Sequence, residues 1–102
     1  MLFEWDERKN RSNQRKHGVS FQLATRIFDD PLRASKLDRV VDGEERWQTV
    51  GLADGRLLLL VVHLVSDERP DGTWVEEIRI ISARFAEPRE KKQYEAESGR
   101  DG

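Results

Sequence analysis

The stretch Trp47-Gln48-Thr49-Val50-Gly51-Leu52-Ala53-Asp54-Gly55-Arg56-Leu57-Leu58-Leu59-Leu60-Val61-Val62-His63-Leu64-Val65 decides the fold. Two runs rich in strand-forming residues flank Asp54-Gly55, a strong signal for a two-residue hairpin turn. The first run, Trp47 to Leu52, reads as one strand and Arg56 to Val65 as the next. Leu57 to Val62 is an unbroken apolar run of six residues. A strand that is apolar on both faces needs cover on both, which makes it a central strand. With Asp54-Gly55 at the turn centre, Leu52 falls opposite Leu57, and Arg46 falls opposite His63. An arginine beside an imidazole suggests a charge clamp next to a proton carrier. The plainer alternative is a polar pair at the edge of the sheet.

Outward from the hairpin, Trp74 to Arg84 reads as a third strand, reached through a polar loop from Ser66 to Thr73. Strict alternation puts Val75, Glu77, Arg79, Ile81 and Ala83 on one face. It puts Trp74, Glu76, Ile78, Ile80, Ser82 and Arg84 on the other. Shorter strands are expected at Leu2 to Trp5 and around Leu32 to Leu37. Pro88 suits the first turn of a final helix that runs to about Glu97. Toward the N-terminus, Asp6 caps a helix from Glu7 to His17, and Gly18 ends it. Ser20 caps a second helix, Phe21 to Phe28, whose Phe21, Ala24, Ile27 and Phe28 form one apolar face. Asp29-Asp30-Pro31 stops it. Helices beside hairpin-linked strands make an α+β fold of one domain over residues 1–97, with a frayed tail at 98–102.

The composition excludes several classes. Cysteine is absent, which removes disulfide scaffolds, thiolate metal sites and cysteine nucleophiles. No apolar run approaches the ~20 residues of a membrane span, and no signal-peptide core opens the chain. A cytoplasmic protein is expected. No Ca²⁺-loop spacing, zinc-binding helix or glycine-rich phosphate loop is present, so no metal or cofactor is expected. Hydrophobic residues make up 36% and charged residues 37%, with a net charge of -2, so bulk charge does not announce a nucleic-acid binder. The charge is segregated, however: residues 1–20 hold five basic residues against three acidic ones.

The first helix has no apolar side chain from Glu7 to His17. An ordinary amphipathic face cannot hold it, and at this length helix propensity alone is marginal. Asp6, Lys9, Asn10, Asn13, Lys16 and His17 fall within an arc of about 120°, with Arg8, Arg11 and Arg15 opposite. Lys9, Asn13 and Lys16 are therefore candidate partners for the phosphates and bases of a polyanion, and His17 is a candidate proton carrier. The plainer reading is a solvated helix with a histidine at the negative end of its dipole. Arg46, paired with His63, is a candidate phosphate contact; Arg79, in mid-strand, needs either a carboxylate partner such as Glu77 or a wet cleft, which Arg84 could also reach. Tyr94, in one helical row with Glu90 and Glu97, is either a packing residue or a second proton carrier.

Together these residues resemble the BrnT-type toxins of bacterial type II toxin–antitoxin systems. The resemblance rests on Phe3-Glu4-Trp5-Asp6, Lys9, Asn13, Lys16-His17-Gly18-Val19-Ser20-Phe21, Ala24, Phe28-Asp29-Asp30-Pro31, Glu45-Arg46, Gly51, Ile78-Arg79-Ile80-Ile81-Ser82-Ala83-Arg84, Glu90 and Tyr94-Glu95. It implies a RelE-like fold: two N-terminal helices and a C-terminal helix on an antiparallel sheet of about four strands. It also implies a metal-independent ribonuclease that cleaves mRNA and inhibits translation. The implied partners are a BrnA-type antitoxin and an RNA substrate, with operator DNA reached only through the antitoxin complex. Catalytic roles would fall to Arg46, Arg79, Arg84, His17 and Tyr94, and RNA binding to Lys9, Asn13 and Lys16; His63 lies outside the shared motif. A non-catalytic module that holds an acidic partner or the ribosome in the same basic groove is the alternative.

Overall fold

The structure, a computed structural model, describes residues 1–68 and 71–98, with the side chains of 67 and 68 left aside. The expected frayed tail falls almost wholly outside the described residues. The elements run β1 (Leu2–Glu4), α1 (Glu7–His17), α2 (Phe21–Ala24), a 3-10 turn (Thr25–Asp29), β2 (Ala34–Val41), β3 (Glu44–Ala53), β4 (Leu57–Glu68), β5 (Trp74–Phe85) and α3 (Pro88–Glu97). One five-stranded sheet has the order β1-β5-β4-β3-β2. Four of its strands form an antiparallel meander, while β1 joins β5 in parallel. The sheet is therefore mixed and one strand wider than the sequence suggests. The expected second helix divides into α2 and the 3-10 turn.

The core lies between the sheet and the N-terminal helices. Val19, Phe21, Ala24, Ile27 and Phe28 pack on Ala53, Leu59, Val61, Ile78, Ile80 and Ala83. Gly51 sets how closely the 3-10 turn approaches β3. A Cβ there would stand 3.1 Å from both the Ile27 carbonyl oxygen and the Ile27 Cβ. The opposite face of the sheet carries α3, whose buried Tyr94 covers its inner end. The β4 run is thus covered on both faces, with Leu59 and Val61 under the N-terminal helices and Leu60 buried on the other side.

Departures from regular pairing fix which side chains share a face. Asp54 and Gly55 both have positive φ and close a turn in which the Arg56 N–H donates to the Ala53 carbonyl at 3.1 Å. The ladder resumes at Ala53–Leu57, so three residues form the loop instead of two. Each β3 residue is therefore one position out of the expected register. His63 faces Trp47, and Arg46 falls on the opposite face from it, which removes the proposed Arg46–His63 pair. On β5 the partners shift between Val62–Ser82 and His63–Ile80, which leaves Ile81 as a bulge. Ile78, Ile80 and Ala83 consequently all face the core. Arg79, Ser82 and Arg84, which strict alternation would divide, share the α3 face.

Candidate RNA-facing site

Helix α1 is held by amides, not by apolar contacts. Asp6 caps it by accepting from the Arg8 and Lys9 N–H groups, and Gly18 ends it at φ 73. Asn13 donates to the Val19 carbonyl at 2.9 Å and to the Ala83 carbonyl at 2.7 Å, and it accepts from the Ala83 N–H at 3.2 Å. Its side chain thus serves β5 as a neighbouring strand would, just where β1 no longer pairs with it. Asn10 accepts from the Phe21 N–H at 2.8 Å and donates to Gln22 and Glu7. The arc of Asp6, Lys9, Asn10, Asn13, Lys16 and His17 is therefore the side that docks. Asn13 is only 8% exposed with its amide engaged, so it has a structural role at the floor of the depression between Lys9 and Lys16. Lys9 and Lys16 flank it in solvent. With Ser12, His17, Ile81 and Ser82 they line an open depression of about 200 Å³.

The α3 face of the sheet presents side chains in transverse rows. Under α3 lie Ala34, Val50, Leu60 and Arg84; next come Lys36, Gln48, Val62 and Ser82. Arg39, Arg46, Leu64, Arg79 and Glu4 form a third row. Here Arg39 pairs with Arg46, Leu64 with Arg79 and Arg79 with Glu4, and Arg46 follows Trp47–His63 onto the Leu64 position. Val41, Glu44, Ser66, Glu77 and Leu2 complete the outer end. The third row carries three arginines with Glu4 at its β1 end, and the fourth carries Glu44 and Glu77. Strand alternation alone hides this order, because it depends on bulges at Asp38 and Ile81. Lys36 and Gln48 escaped the sequence reading for that reason.

The three candidate arginines differ in their partners. Arg84 forms a two-pronged pair with Glu90, both bonds 2.8 Å, and also donates to the Phe85 carbonyl. The Glu90 hydrogen bonds raise the Arg84 pKa, and Arg84 holds the Glu90 carboxyl below its ordinary value. Arg79 pairs with Glu4 at 3.0 Å, with both side chains about half exposed. Arg46 has no ion pair among the described residues, and its Nε is buried without an acceptor.

Tyr94 is 4% exposed, and its hydroxyl donates to Asp30 Oδ2 at 2.6 Å. The same carboxylate accepts from the Leu52 and Leu32 N–H groups. Tyr94 anchors α3, which favours the packing role over proton transfer. His17 is half-buried at the rim of the α1 depression. His63 lies in the core, edge-on to Phe28, with Thr49 Oγ1 2.7 Å from its Nε2 and Ser35 Oγ 2.6 Å beyond. Burial lowers its pKa to about 4. Among the described residues, no three His, Asp or Glu side chains gather closely enough to hold a metal ion. No helix there is long and apolar enough to cross a membrane.

Comparison with known proteins bears on the whole arrangement. The crystal structure of the Brucella abortus ribonuclease toxin, BrnT, superposes with a TM-score of 0.54 at 22% identity, covering 85% of this chain and 99% of that one. That likeness establishes the fold. Comparison with curated proteins gives no significant match. The family model described as the ribonuclease toxin, BrnT, of type II toxin–antitoxin systems matches residues 5–90, a span from Trp5 through both faces of the sheet to Glu90. The chain belongs to the BrnT family of ribonuclease toxins of type II toxin–antitoxin systems.

Proposed function

We propose that this chain cleaves mRNA in the cytoplasm without a metal ion and is neutralised by a BrnA-type antitoxin, whose complex with it reaches operator DNA. The observation that carries the reading is the juxtaposition along β5. Lys9, Lys16 and His17 on α1 border Ser82, and Arg79 and Arg84 stand on either side of Ser82 on one face. Cleavage of this kind uses the substrate's own 2′-hydroxyl. A base removes its proton, the 2′-oxygen bonds to phosphorus, and the P–O bond to the 5′-oxygen breaks as that oxygen gains a proton. The products are a 2′,3′-cyclic phosphate and a free 5′-hydroxyl. Arg79 and Arg84 supply positive charge to the phosphorane, His17 moves a proton, and Lys9 and Lys16 hold the flanking backbone. Tyr94 acts indirectly, by fixing the helix that carries Glu90 and so the direction of the Arg84 fork.

Incubation of end-labelled RNA with the protein in EDTA tests this directly. The expected result is fragments with cyclic phosphate ends, reduced at least 100-fold in an Arg79→Ala, Arg84→Ala double variant, in keeping with the loss of electrostatic stabilisation of roughly 3 kcal/mol or more. No cleavage by the wild type, or undiminished cleavage by the double variant, refutes the mechanism. One observation favours the non-catalytic alternative: Glu4 and Glu90 already occupy Arg79 and Arg84. Expression separates the two readings, since only the enzyme arrests growth with accumulation of RNA fragments.

A further inference from the structure

We propose that Arg39 and Arg46 form a phosphate-binding pair that seats the RNA backbone at the outer end of the sheet, away from the Arg84 centre. The inference rests on the reading of this chain as an enzyme acting on RNA. The two arginines are direct cross-strand partners on β2 and β3, so their Cα atoms stand about 4.5–5.5 Å apart. Like charges placed opposite one another destabilise a sheet unless an anion lies between or above them. Neither residue has a close carboxylate to itself. Arg39 has only a 3.5 Å contact with Asp38 and remains 69% exposed, while the other Asp38 oxygen accepts from Gln48. Arg46 has no hydrogen-bond or ion-pair partner among the described residues, and its Nε is shut away from solvent. Arg46 as a whole is half-buried, so part of its side chain reaches the surface.

The row also gives the site direction. Arg79 lies two strands from Arg46, about 10 Å away at a strand spacing of ~4.8 Å. Glu44 and Glu77 occupy the next row outward, each two residues before an arginine on its own strand. A polyanion laid on the arginine row is repelled on its outer side and turned inward, toward Lys36, Ser82 and Arg84. Guanidinium groups suit this task because their planar forks meet phosphate oxygens in pairs.

The test uses a 2′-O-methyl oligoribonucleotide of ~10 nucleotides, which binds but cannot be cleaved, with affinity measured across a salt series. Arg39→Met and Arg46→Met keep the aliphatic stems and remove the charge. Each is expected to flatten the dependence of log K on log salt by about 0.7, the value for one phosphate contact on a single strand. The double variant is expected to bind at least ten-fold more weakly with a melting temperature equal to or above that of the wild type, and Arg46→Lys to recover part of the loss. Equal slopes and affinities for the wild type and the double variant overturn the pair. So does binding of polyglutamate, lost on removing both arginines, without binding of the oligonucleotide. Cleavage of unmodified RNA is measured separately. Arginine-dependent binding without cleavage supports the pair and refutes the enzyme, and cleavage indifferent to both residues does the reverse.

Discussion

At the scale of single residues, Asn13 and His63 show what polar groups do inside this protein. Asn13 answers three backbone groups at once, two carbonyls and one N–H. Asn13→Ala leaves these groups without partners in a buried place, at a cost of about 3 kcal/mol. Asn13→Asp is expected to cost as much or more, because a carboxylate oxygen would then face two carbonyl oxygens. Chemical denaturation of the two variants checks the order. His63 is neutral in the fold, and its pKa falls from 6.5 to about 4 because burial disfavours the charged ring. The unfolded chain therefore takes up this proton at a higher pH than the folded one. Stability is complete above about pH 6.5 and falls as the pH drops toward about 4, by up to about 3 kcal/mol. Denaturation midpoints between pH 7 and 4.5 should show that slope, and a His63→Gln variant should lack its contribution. Neither role was legible in the chain. The structural role of Asn13 was hidden because a list of donors does not say which way a helix faces.

At the scale of elements, sequence and structure agree where the signals are local. Asp6, Gly18, Ser20 and Pro88 mark helix ends that the structure keeps, since caps depend on the nearest few residues. Alternation failed where one residue more or less mattered: the turn after Ala53, Asp38 on β2 and Ile81 on β5. Each such residue reverses the faces beyond it. No local signal in Ile78 to Arg84 marks the bulge, yet the bulge brings Arg79 and Arg84 to one side. Helix α3 offers a test of what fixes the site. Tyr94→Phe removes a hydrogen bond to a carboxylate, worth about 1.5–3 kcal/mol, and leaves the ring in place. Amide exchange in residues 88–97 should quicken more than in β4. RNA cleavage should fall less than in an Arg84→Ala variant, because Tyr94 holds the helix and does not touch substrate. Equal loss of activity in the two variants would return Tyr94 to the catalytic group.

At the scale of the molecule, a net charge of -2 coexists with a basic helix and a row of arginines. Bulk charge was a poor guide because a ligand responds to the field within a Debye length of about 8 Å. Binding of RNA should therefore weaken steeply as salt rises from 50 to 200 mM, as it does for proteins of high net positive charge. A flat salt response would show that the acidic rows cancel the basic ones. The parallel β1–β5 contact was also beyond sequence reading, because nothing near Leu2 identifies a partner strand more than 70 residues away.

That distance has a consequence for how the protein comes into being. The helix that borders the proposed site is made before β5, and the groups that satisfy Asn13 on Ala83 lie 70 residues later. At about 5–20 residues per second, α1 waits several seconds for β5. Until then it is a short polar helix with nothing to hold it, and neither Arg79 nor Arg84 exists to face it. A nascent chain that has made α1 but not β5 thus has no assembled site. A chain that stops short of Ala83 lacks both Arg84 and the backbone groups that hold Asn13, so the proposed site cannot assemble from it.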